Sequence, residues 1–79
     1  MNYANEMISN ILIFRTDVQE DSDLKRLELI LSRDRRIQAW NVDRDDVDRV
    51  LRIKSQGLCA EDVVKIIGHA GFFCEELTD

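Results

Sequence analysis

Apolar residues change their spacing several times along this chain, and each change predicts an element. The run "ILIFRTDV", Ile11 to Val18, is β-branched and aromatic and predicts a strand. "SDLKRLELILSRDRR" then sets Leu24, Leu27, Ile30 and Leu31 at the spacing of one buried helix face. Asp21 or Ser22 suits the N-cap, while Arg33, Arg35 and Arg36 close the far end in the sense the helix dipole favours. "IQAWNV" and "RVLRIKS" predict two further strands, joined by the polar "DRDDVD". In "GLCAEDVVKIIGHAG", Val63, Ile66, Ile67 and Ala70 form the buried stripe of a second helix, and Gly71 is a plausible stop. "FFCEEL" predicts a last strand.

The order β-α-β-β-α-β predicts an α+β, ferredoxin-like sandwich: a four-stranded antiparallel sheet with two helices on one face. No repeat, linker or proline interrupts it. The domain is expected to occupy residues 11–79, behind a loose polar leader at 1–10. That topology brings three connections to one end: the loop 17–23, the hairpin 43–49 and the turn 68–72. There it gathers Asp17, Glu20, Asp21, Asp23, Asp43, Asp45, Asp46 and Asp48 against Arg44, Arg49 and His69. The arginines at 33–36 go to the opposite end.

Composition narrows the classes. With 79 residues the chain is one domain with a small core, burying about 60% of its unfolded surface. A net charge of −5 argues against binding nucleic acid or anionic membranes. Two cysteines, Cys59 and Cys74, make no disulfide scaffold and suit a reducing compartment. "MNYANEMISN" lacks a basic leader region and "ILIF" is too short to span a bilayer, so a cytoplasmic location without membrane insertion is expected.

"IQAWNVDRDDVDRVLRI" and "GLCAEDVVKIIGHAGFFCEEL" are similar to the second and third strands and the closing helix–strand unit of the heavy-metal-associated domain. That module forms copper chaperones and the tails of copper-transporting ATPases, and small bacterial stand-alone members resemble this chain most. The resemblance covers nearly all of 11–77. It implies a metal loop after the first strand, where the family carries Cys-x-x-Cys. Here Val18 falls at the loop's apolar position, and Glu20 and Asp23 fall where the thiolates belong. Carboxylates are hard ligands and do not hold monovalent copper well. The resemblance therefore implies a degenerate metallochaperone-like binding module without a cofactor. Its family docks through this end, so the expected contact set is Glu20, Asp21, Asp23, Asp45, Asp46, His69 and Phe72. The expected partner is a protein with a basic surface, such as a metal transporter or a related domain.

Other readings of the same residues stand beside this one. Carboxylates in a first helical turn are ordinary capping, each favoured by about 0.3–1 kcal/mol. A hard-cation site could draw on Glu20, Asp23, Asp17 and His69. The partial calcium-loop pattern from Asp17 to Glu28 fails because Ser22 holds the glycine position and a strand precedes it. "DRDDVD" reads as a solvated hairpin whose arginines offset neighbouring aspartates. Cys59 stands where a capping serine is expected and could be mildly reactive, whereas Cys74 reads as a small buried apolar residue. Helix length separates the two beyond disulfide reach. Trp40, Phe72 and Phe73 read as core or sheet-face residues. No nucleophile–base constellation or phosphate loop is present, so the expectation is not an enzyme.

Overall fold

The computed structural model describes residues 10–78. Asn10 opens the first strand, and the rest of the expected leader lies outside the described residues. The elements run β1 (Asn10–Thr16), α1 (Asp21–Leu31), β2 (Ile37–Asp43), β3 (Val50–Ser55), α2 (Ala60–His69) and β4 (Cys74–Glu76). The four strands make one antiparallel sheet in the order β2-β3-β1-β4, the ferredoxin-like arrangement. No helix among the described residues is long and apolar enough to cross a membrane.

Alternation along the strands decides which face is covered. Phe14 on β1 and Leu51 and Ile53 on β3 are fully buried, as are Leu27 of α1 and Val63 and Ile67 of α2. Both helices thus pack on one sheet face, with Val18, Leu31, Leu58 and Phe72 closing the cluster. Leu27, Leu31, Val63 and Ile67 of the predicted stripes are buried, Leu24, Ile66 and Ala70 are half-buried against the core, and Ile30 is half-buried outside that cluster. β2 could not join this core as a regular strand. Ile37 and Trp40 are three positions apart, so simple alternation would aim them at opposite faces. A bulge resolves this: Ile37 pairs with Ser55 and Ala39 with Lys54, leaving Gln38 as the extra residue. Ile37, Trp40 and Val42 then all pack against the core.

α1 stops at Leu31, earlier than expected, and its last turn holds no basic residue. Arg33, Arg35 and Arg36 lie instead in the following loop. Arg36 grips Asp34 through two side-chain hydrogen bonds of 3.0 and 2.7 Å, and Asp34 also accepts its backbone N–H.

α2 ends at His69 with Ala70 as its C-cap, and Gly71 is the stop beyond it, as predicted. Gly71 has φ +93° and donates its N–H to the Gly68 carbonyl, while the Phe72 N–H reaches back to the Ile67 carbonyl at 3.3 Å. This is a Schellman closure, in which the residue after the glycine folds onto the helix's last apolar position. Phe72 is consequently only 8% exposed, and the neighbouring Phe73 is 49% exposed. The expectation of Phe72 as a docking residue is corrected: it belongs to the core, and the outward aromatic is Phe73.

The two glycines of this turn should respond oppositely to alanine. At Gly68 an added Cβ meets nothing within 4 Å, and Gly68→Ala should stabilise by about 0.5–1 kcal/mol. Gly71→Ala should destabilise by about 1 kcal/mol or more, because the positive φ is strained for alanine. Urea denaturation of the two variants beside the wild type would measure both effects.

Candidate functional site

Thr16, the last residue of β1, ties three segments together. Its N–H donates to the Asp48 carbonyl at 3.0 Å, and its hydroxyl donates to the Arg49 carbonyl at 2.6 Å. The same oxygen accepts the Val18 N–H at 3.3 Å. Val18, fully buried, plugs the loop into the core, so the position the resemblance marks as apolar is an anchor. Asp17 points outward and accepts the Phe73 N–H at 3.0 Å. Asp23 then turns back, and one of its oxygens accepts the N–H groups of Gln19 and Glu20, each at 3.0 Å. The N-cap is therefore Glu20, not Asp21 or Ser22. Asp23 supplies the return half of a capping box from the third helical position.

The hairpin beyond β2 is held by its own aspartates. Asp43 accepts the Asp45 N–H at 3.1 Å and Asp46 accepts the Asp48 N–H at 2.8 Å, two local turns of the kind Asp favours. Arg49 closes the turn with φ 47°, a left-handed conformation uncommon outside glycine. Its arginines do not offset the neighbouring aspartates as expected. Arg44 reaches across to the Gln19 carbonyl at 3.2 Å and to Asp21 at 3.0 Å. On β1, Arg15 bridges Asp48 at 3.2 Å and Glu75 at 3.4 Å, linking hairpin to β4. These exposed pairs contribute at most about 1 kcal/mol each, and their effect is to fix register between loops.

The third segment is joined by Arg26 of α1. Its guanidinium donates to the Ala70 carbonyl at the end of α2 and lies 4.6 Å from the Phe72 ring centre. A cation there satisfies the helix's last carbonyls. His69 stands exposed in the last turn of α2.

The three connections thus meet as the topology requires, but their acidic residues are not gathered around a point. Among the described residues no group of three or more His, Cys, Asp or Glu could hold a metal ion. Asp17 and Asp23 are committed to backbone amides, and Glu20 and His69 are not brought to them as a ligand set. Glu20, Asp21, Asp45 and Asp46 face solvent. Two apolar residues that the sequence reading did not single out for this surface stand among them: Val47 at the hairpin tip, 91% exposed, and Phe73, 49% exposed. Phe73 had a signal, since two adjacent aromatics in an extended segment must face opposite ways.

Cys59 occupies the N-cap of α2, at the opposite end of the molecule. It repeats the device of α1: its N–H and its Sγ both donate to Asp62 at 3.1 Å. Cys74 begins β4 on the core side, and burial pushes its thiol up to about 12. Both thiols are free. The Asp23 carboxyl is held below its ordinary range, first by the Glu20 amide, then by that of Gln19, with Arg26 assisting. Asp62 is lowered by the Cys59 thiol first and its amide second, and Asp34 by the Arg36 side chain and amide. No protein-family model matches the chain, and no curated protein matches its sequence.

Two outcomes follow from this geometry. Thr16→Val should cost about 1–3 kcal/mol in denaturant unfolding, because the part-buried Arg49 carbonyl and the buried Val18 amide lose their partner. The lowered carboxyls at positions 23, 34 and 62 stabilise the fold fully above the ordinary Asp range and lose that contribution as pH falls through their folded values. Thermal stability should therefore be level near neutrality and decline below about pH 4. In Asp23→Asn, which keeps an acceptor but cannot titrate, the decline should be shallower.

Proposed function

We propose that this chain is a non-enzymatic binding module of the heavy-metal-associated type that has lost its thiolate ligands. It acts through protein contacts at its acidic end. The observation that carries this reading is the exposure of Val47 and Phe73 among carboxylates on loops that hydrogen bonds hold in place. Apolar anchors inside a charged rim are the anatomy of a protein interface: the anchors supply affinity, and the rim supplies orientation and rate. Fixed loops lower the ordering cost of association. With most of this rim negative, the fitting partner presents a basic surface around a small apolar recess, as on a cytosolic domain of a metal transporter. The resemblance of the second half of the chain supports the family, and Glu20 and Asp23 at the thiolate positions support the loss of soft-metal chemistry.

A ¹⁵N NMR titration with a basic heavy-metal-associated-type domain tests this. Shifts should concentrate at 17–23, 43–49 and 70–73, and Val47→Asp should weaken binding by about tenfold or more, the scale of an interface anchor. Shifts confined to the rest of the molecule would sink the assignment.

A further inference from the structure

The sheet face that no element among the described residues covers has a character opposite to that of the acidic end. Alternation places Ile11 and Ile13 on this face, and their partners across the ladder are Lys54 and Arg52. Ala39 and Asn41 flank the same two cations from β2. Ile11 is 58% exposed, and Arg52 and Lys54 are exposed with no ion pair among the described residues. In a chain of net charge −5, this is a cationic patch with aliphatic side chains between the cations, and Ile11, Ala39, Trp40, Arg52 and Lys54 line a shallow depression of about 230 Å³ within it. The hairpin tip is its complement: Val47 projects between Asp46 and Asp48, with Asp45 beside them.

We propose that the sheet face of one molecule receives the hairpin tip of a second copy. Val47 seats against Ile11 and Ile13, while Asp45 and Asp46 face Arg52 and Lys54. This rests on the reading of the acidic end as a docking surface and names a partner for it. The choice of a second copy comes from complementarity in both kind and sign, because one chain holds an apolar knob ringed by anions and an aliphatic patch set among cations. The two surfaces are different, so the contact is heterologous. Each added copy leaves one knob and one face free, and association gives open chains in place of a closed dimer. A contact made by one hairpin tip lies at the small end of specific interfaces and is weak. It also depends on salt, since a Debye length of about 3 Å at 1 M screens it.

Sedimentation equilibrium in low salt, from micromolar to about 1 mM protein, reads this directly. The wild type should show an average mass that rises with concentration and falls back to the monomer in 1 M salt, where screening is about complete. Arg52→Glu with Lys54→Glu removes the face, and Val47→Asp removes the knob. All three positions are exposed, and circular dichroism verifies folding of both variants. Each variant alone should be monomeric. Their equimolar mixture should form a one-to-one dimer and nothing larger, because one good knob meets one good face and the remaining pair repel. A wild type that stays monomeric throughout overturns the proposal, as does association that survives in either variant alone. If the wild type is monomeric while a foreign basic domain still shifts 43–49, self-association is overturned and the acidic-end reading stands. If neither occurs, both fall.

Discussion

Among the described residues, packed apolar side chains cover one face of the sheet, and that one-sided burial governs the structure. Phe14, Leu51 and Ile53 face the helices and are fully buried, while their neighbours Ile13, Arg52 and Lys54 face away. Both helices must share the apolar side, so their stripes of Leu27, Leu31, Val63 and Ile67 are narrow and meet over the centre. β2 lies at the edge and reaches the core only by inserting Gln38, which brings Ile37 and Trp40 to the same side. The other face is left to polar and charged residues with a few aliphatics among them. One-sided burial thus produces both the stability of the domain and the surface it offers.

The charged residues fall into two groups by what they do. Asp17, Asp23, Asp43 and Asp46 accept backbone amides and shape the loops. Glu20, Asp21 and Asp45 are exposed, and Asp21 pairs with Arg44 across the loops. Thr16 links the groups: its buried hydroxyl joins the hairpin to the loop, so the outward residues are carried on a fixed frame. In the loop after β1 the carboxylates of Asp17 and Asp23 are committed to backbone amides, which holds its shape.

Much of this was legible from residue order. Helical spacing located both helices, and β-branched runs located the strands, because burial of one face imposes those periods. The convergence of three connections followed from topology alone. Other features were not legible, for physical reasons. Arg36 pairs with Asp34 in the loop after α1, and a short-range ion pair leaves no periodic trace. Arg44 passes over its neighbours to Asp21, a contact set by hairpin twist. Which of Phe72 and Phe73 faces inward depends on one left-handed glycine. The caps of both helices were misjudged or incomplete. Asp23 and Asp62, three positions beyond Glu20 and Cys59, do much of the work expected of the cap residue itself.

The bulge at Gln38 has a consequence beyond packing. Among the described residues neither outer strand of this sheet has a further strand beside it, and such edges are what other chains could copy as a template for aggregation. β4 limits the hazard by brevity, since it has only three residues. β2 has seven, long enough to recruit an unfolded neighbour. Its extra residue breaks the repeat of hydrogen-bonding groups and adds local twist, so no flat uninterrupted edge is on offer. The irregularity that lets Ile37 and Trp40 share a core is also a guard against fibril growth.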